Sequence, residues 1–382
     1  MSQDRSRVLF SRRSFLGAST AASAALAFGT VTEPLLAMGA LRELPQPSSR
    51  GAVFINANEN PLGPCDSARK ALADIIPSGG RYLYDRMQEF VKSYAKAEGL
   101  KPEYVNIYPG SSTPLQYAVL AFTSPNAPYV TADPSFESGM FAAGDSGAHI
   151  VKVPLTKSYA HDVKAMLAAA PNAGLFYVCT PNNPTGTLTS HADIEYLVAN
   201  KPKGSIVMVD EAYIHFTEAP SVLDLVKADR DVVVLRTMSK IYGMAGLRCG
   251  FAIARPDLLK KMARFAGWVA MPVTAVAAAS ASLNDQQLVS ERRRINADIR
   301  QDTFDWLDRN GYSYIPSQSN CFMLDAKRPA REIIAAMARQ NIYIGRVWPI
   351  WPTHVRITVG TAEEMERFRT AFHQVMTAAK ST

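Results

Sequence analysis

Short runs of β-branched and aromatic residues alternate with longer amphipathic stretches along most of this chain, and that rhythm restricts the fold more than any other feature. Val105-Asn106-Ile107-Tyr108, Tyr129-Val130-Thr131 and the segments 174–179, 205–209 and 232–235 are short, apolar and bounded by Pro, Gly or Asp. They predict strands, and 247–253 reads as another. Helices are expected over 114–122 and around 141–143. A strand–helix alternation of this kind calls for a mainly parallel sheet with helices on both faces, an α/β fold. From about Val273 the texture changes: helices over 274–283 and 289–309, strands over 320–324 and 355–359, and a closing helix over 363–380. These make a smaller α+β unit.

A chain of 382 residues is too long for one compact core. The expected division is a leader over 1–39, an arm with part of the small domain over 40–75, a large domain over 76–272 and a small domain over 273–382. The formal charge of +7 comes from scattered basic residues, so no nucleic-acid surface is expected. Ser11-Arg12-Arg13-Ser14-Phe15-Leu16 precedes an Ala/Gly/Ser-rich apolar stretch to Val31, with Ala37-Met38-Gly39 as a cleavage site. The pattern resembles a twin-arginine signal and predicts a periplasmic destination. Its other reading is a chance arginine pair before an anchoring helix, but Gly17, Gly29 and several Ser/Thr make a poor spanning segment, so no stable membrane insertion is expected. Cys65, Cys179, Cys249 and Cys321 show no metal spacing, so four free thiols and no metal are expected.

Several residues at predicted strand ends carry chemistry. Thr237-Met238-Ser239-Lys240 follows the 232–235 strand, and Arg248 lies a little beyond. A lone lysine there is usually solvated. Beside two hydroxyls and a planar guanidinium suited to phosphate, it becomes a candidate amine for imine formation. Asp210, with Tyr213 close behind, ends a strand at the edge where such sheets bind ligands; its plainer reading is a strand-end cap. Asn182-Asn183-Pro184-Thr185-Gly186 is a turn that also offers the Asn183 amide. Gly110-Ser111-Ser112-Thr113 precedes Pro114, which suits the first turn of a helix; the exposed N–H groups form an anion site, or Ser is merely an N-cap. Phe136 could stack on a flat ligand or sit in the core.

In that order these residues resemble the fold-type-I aminotransferases of class I/II that depend on pyridoxal 5′-phosphate (PLP), most nearly the histidinol-phosphate aminotransferase branch. The resemblance runs from about residue 58 to the C-terminus. It is most specific at Asn58-Glu59-Asn60-Pro61-Leu62-Gly63-Pro64, 181–186, 210–213, 236–251 and Arg356-Ile357-Thr358-Val359-Gly360-Thr361. It implies the fold of that family, a large domain with helices on both sides of the sheet plus a smaller α+β domain. It makes Lys240 the Schiff-base and proton-shuttling residue, with Asp210 and Tyr213 as its catalytic partners. It gives the cofactor's phosphate to Ser111, Ser112, Thr237, Ser239 and Arg248. Asn183, Asp210 and Tyr213 would hold the ring, with Phe136 stacked on it. Tyr82 would reach the phosphate of a neighbouring subunit, which implies a homodimer with shared sites. Arg356, Arg346 and Asn320 fall on the substrate side, as do Asn58 and Trp348. The partners implied are a small amino substrate and a keto acceptor.

The chain departs from that pattern in one stretch. Between Arg346 and Arg356 it carries Trp348, Pro349, Trp351 and Pro352 where relatives are more polar. The expectation is a stiff aromatic wall and a flat or apolar substrate side chain, unless both tryptophans pack inside the small domain. An exported aminotransferase also needs an amino donor and acceptor outside the cytoplasm. That leaves open a PLP-dependent oxidase, decarboxylase or lyase, and more remotely a PLP-binding protein without catalysis.

Overall fold

The protein is described here by a computed structural model covering residues 51–266 and 270–378. The leader, its cleavage site and the arm before Gly51 lie outside the described residues, as does the end of the helix expected to reach residue 380. The strands are β1 (Val53–Ile55), β2 (Val105–Tyr108), β3 (Tyr129–Asp133), β4 (Ile150–Pro154), β5 (Leu175–Cys179), β6 (Ile206–Asp210), β7 (Val232–Thr237), β8 (Gly250–Ala254), β9 (Ser313–Ile315), β10 (Cys321–Asp325), β11 (Ile342–Ile344) and β12 (His354–Thr358).

Seven of them form the main sheet in the order β2-β8-β7-β6-β5-β3-β4. The pairs from β4 through β7 are parallel, and β8 runs antiparallel to both β7 and β2. Every residue of β5, β6 and β7 is buried, as continuous apolar runs require when helices cover both faces. Successive side chains go to opposite cores. Phe176 and Val178 join Ile194 and Leu197 of the helix His191–Asn200, whereas Leu175 and Tyr177 join Leu115 and Val119 of the helix Ser112–Phe122.

The smaller unit holds the antiparallel sheet β12-β10-β9 and the parallel pair β1-β11. Its core includes Ile55, Phe322, Ile357, Phe368 and Phe372. Two segments pack otherwise than the expected division. The helix Asp66–Ile75 lies against the helix Val273–Leu283, and Ala68, Ala275, Val276, Ala278 and Ala279 all belong to a core of the large sheet. Their small side chains allow two helices to approach closely, which binds them to each other more than to the small unit. The chain changes units along the helix Leu288–Arg309: Leu288 is in the large core, Phe304 and Leu307 in the small one. β8 also begins later than expected, because Ala245–Leu247 is a 3-10 turn and Arg248 takes a φ of 63°.

That turn brings β8 against the loop that ends β2. A Cβ on Gly250 would meet the Gly110 carbonyl carbon and the Ser111 nitrogen, both backbone atoms that cannot yield by rotating. Gly250→Ala is therefore expected to cost about 1–3 kcal/mol of stability, read as a lower urea midpoint. An unchanged midpoint would show that the two loops are not packed this closely.

Candidate active site

β5, β6 and β7 lie side by side, and their carboxyl ends open into a cleft, the edge at which such sheets bind ligands. Ser111, Ser112, Phe136, Asn183, Asp210, Tyr213, Thr237, Ser239, Lys240 and Arg248 all line it. Every expected cofactor residue except Tyr82 is thus gathered in one place. Tyr82 is 67% exposed and stacked on Tyr84, on the outside of the chain.

Lys240 is 8% exposed. Its Nζ donates to the carbonyl oxygens of Asn58 at 3.0 Å and Ala57 at 3.4 Å, and lies 5.4 Å from the centre of the Tyr213 ring. Asp210 closes the floor at the end of β6. Burial pushes its carboxyl up to about 6, although the Tyr177 hydroxyl at 2.9 Å and the Ala212 amide at 3.0 Å both donate to it. A cation placed beside Asp210 would relieve that cost, which fits a ring nitrogen carrying a proton.

The other end of the cleft suits an anion. The helix Ser112–Phe122 begins there with no side chain capping it, so its first N–H groups face the space. Thr237 Oγ1 donates to Ser239 Oγ at 2.9 Å and accepts from the Ser239 amide at 3.0 Å. Arg248 donates to Ala245 O at 3.0 Å, Pro109 O at 3.4 Å and Ser239 Oγ at 3.5 Å, all neutral acceptors. No carboxylate pairs with it among the described residues, and burial holds its pKa below the usual arginine value. A partly desolvated guanidinium beside an uncapped helix start is a place for a phosphate. With an amine, a carboxylate floor and this corner in one cleft, the residues fit PLP.

A buried polar network joins the small unit to this cleft. Asn58, fully buried with a φ of 53°, donates from Nδ2 to the Tyr213 hydroxyl at 3.0 Å and Asn183 Oδ1 at 3.4 Å. Arg356 donates to the same Asn183 oxygen at 2.8 Å, and Asn320 donates to the Asn58 carbonyl at 3.2 Å. Arg346 and Trp348 are arranged differently from expectation. Arg346 is held by Glu137 through two bonds of 2.7 and 3.0 Å. Trp348 is 1% exposed and does not line the cleft; its ring underlies both arginines instead. Trp351 stands edge-on to Tyr159. The tryptophans thus support the site from behind rather than presenting a bare aromatic wall.

Four further residues matter that motif reading passed over: Tyr177, Ala57, Glu137 and His161. Tyr177 had a signal, a hydroxyl-bearing residue in a strand otherwise apolar. His161, 2% exposed and pulled down to about 4 by burial, sits with Nε2 3.3 Å from both the Cys179 amide and Asn182 Oδ1. All four cysteines are free and buried.

The family model described as aminotransferase class I and II matches residues 52–372. The histidinol-phosphate aminotransferase of Symbiobacterium thermophilum is 36% identical over 83% of this chain and 88% of its own length. An aromatic amino acid aminotransferase of Cutibacterium acnes is 32% identical over 85% of this chain and 93% of its own. The crystal structure of histidinol-phosphate aminotransferase from Sinorhizobium meliloti in complex with PLP superposes with a TM-score of 0.81 at 25% identity, covering 97% of this chain and 99% of that one. The chain belongs to the class I and II aminotransferases, enzymes of fold type I, and its cofactor is pyridoxal 5′-phosphate.

Proposed function

We propose that the enzyme transaminates small amino acids, with Lys240 as the attachment point and proton carrier and Arg356 as the carboxylate receptor. The convergence of Lys240, Asp210 and Arg248 on one cleft is the observation that carries this reading. Bound PLP supplies an aldehyde that condenses with amines and a protonated ring that draws electrons from the adjoining carbon. Arg248, the Ser111–Ser112 amides, Thr237 and Ser239 would hold its phosphate. Tyr213 and Asn183 would hydrogen-bond its ring oxygen, and Phe136 would cover a face. Asp210, ionised once a cation neutralises it, keeps the ring nitrogen protonated.

Lys240 Nζ, held against the Asn58 and Ala57 carbonyls, would be the amine that carries PLP, and once a substrate amine takes its place it would serve as general base and then return the proton. The amino substrate and the keto acceptor use the same cleft in turn.

The exposure of Tyr82 supports a homodimer in which Tyr82 completes the partner's phosphate site. The Arg12-Arg13 leader supports export of the folded enzyme, cofactor included, by the twin-arginine route.

Four outcomes follow. Cofactor-loaded protein mixed with amino acids should release keto acids and stall unless a keto acceptor is added; turnover that needs oxygen and no acceptor would mark an oxidase instead. Lys240→Ala should fold yet lose this activity by at least about 100-fold. Asp210 titrates near 6 when folded against about 3.8 when unfolded. Its buried charge therefore costs stability that is fully lost above pH 6 and recovered below about pH 4. Cofactor-free Asp210→Asn should accordingly be more stable than the wild type at pH 7.5, by on the order of 2 kcal/mol, with the gain fading toward pH 4. A gain equal at both pH values would contradict the assignment. Finally, replacing Arg12 and Arg13 by lysine should leave the enzyme in the cytoplasmic fraction; unchanged fractionation would refute export by this route.

A further inference from the structure

Two arginines share one tryptophan. The guanidinium carbon of Arg346 is 4.4 Å from the Trp348 ring centre, and that of Arg356 is 5.5 Å away. Arg346 is also gripped end-on by Glu137, Nη1 to Oε1 at 2.7 Å and Nη2 to Oε2 at 3.0 Å. The pair bridges the two units. Glu137 directly follows Phe136, which lines the cleft, and precedes the helix Ser138–Asp145; Arg346 leaves β11. Arg356 reaches the cleft through Asn183. The Arg346–Glu137 pair therefore shares Trp348 with the proposed carboxylate receptor and lies directly behind Phe136 of the cleft wall.

A parallel two-point bond engages one whole edge of the guanidinium. The two side chains are only 9% and 19% exposed, so water screens them weakly. A substrate whose side chain ends in phosphate or carboxylate would have to pull Arg346 from Glu137, which strands a half-buried carboxylate, or lie beside that negative charge. Glu59, exposed at the mouth of the cleft, adds a second negative charge along the approach. An uncharged side chain meets neither penalty.

We propose that Glu137 is a specificity-determining residue: by holding Arg346 in a neutral pair on Trp348, it turns the enzyme away from amino substrates with an anionic side chain and toward uncharged ones. This rests on the reading of the site as an amino acid aminotransferase with Arg356 at the carboxylate.

The test is the single-turnover half-reaction of the cofactor-loaded enzyme with leucine, phenylalanine, glutamate and histidinol phosphate, followed by the cofactor's absorbance. The wild type should prefer leucine and phenylalanine. Glu137→Gln should raise the specificity ratio for glutamate and histidinol phosphate over leucine by at least about ten-fold, because Arg346 is no longer neutralised. Arg346→Gln should move the ratio the other way, since Glu137 is then unbalanced, and it supplies the answer if Glu137→Gln fails to fold. A merely structural pair would lower all four substrates together and leave the ratio fixed. That result, or a wild type already favouring the anionic substrates, overturns the inference while leaving the aminotransferase reading standing. A wild type that reacts with none of the four overturns that reading and the inference with it.

Discussion

Parallel pairing of β5, β6 and β7 places Cys179 opposite Asp210 and Asp210 opposite Leu235, so β5 and β6 end level and β7 runs on two residues to Thr237. The active site depends on that register. The turn at Asn183, the carboxylate of Asp210 and the loop carrying Ser239 and Lys240 leave the sheet at its carboxyl edge, where the chain must reverse and side chains are no longer covered by helices. A slip of one residue in β6 would turn Asp210 toward the other face and put an apolar valine at the floor. The strands are apolar on both faces, so what resists such a slip is Asp210 itself, whose carboxylate finds the Tyr177 hydroxyl and the Ala212 amide only in this register.

A second dependence runs through Asn58. Its backbone takes a left-handed φ, its amide hydrogen is accepted by Thr358 at 2.9 Å, and its carbonyl receives both Lys240 and Asn320. One residue next to β1 thereby ties the small unit to the amine, to Tyr213 and to Asn183. Buried polar groups of this kind are costly unless all are satisfied, so the network fixes a single arrangement of the cleft rather than adding much stability. Asp210 is the exception. Its carboxyl is left partly unbalanced by the protein alone, an imbalance that the proposed protonated ring nitrogen would relieve.

Much of this was legible in the sequence. The strands that build the cleft announced themselves by composition, and the residues that line it by following those strands in order. What was not legible came from contacts across long separations. Glu137 and Arg346 are 209 positions apart, and neither carries a local sign that it is paired. Trp348 read as a candidate wall because periodicity does not tell which side of a short segment meets solvent. The helix Val273–Leu283 looked like the start of a new unit because its alanines suit any helix interface; only packing against Asp66–Ile75 assigns it to the large core. Tyr82 is placed on the outer surface by the structure of one chain.

The proposed chemistry requires that Lys240 be the one amine carrying the cofactor. Borohydride reduction of the loaded enzyme makes that bond permanent, and proteolysis with mass spectrometry then locates the modified lysine. The predicted result is one modified peptide, with the label on Lys240. A label on any other lysine, or none at all in a protein that retains the cofactor, would contradict it.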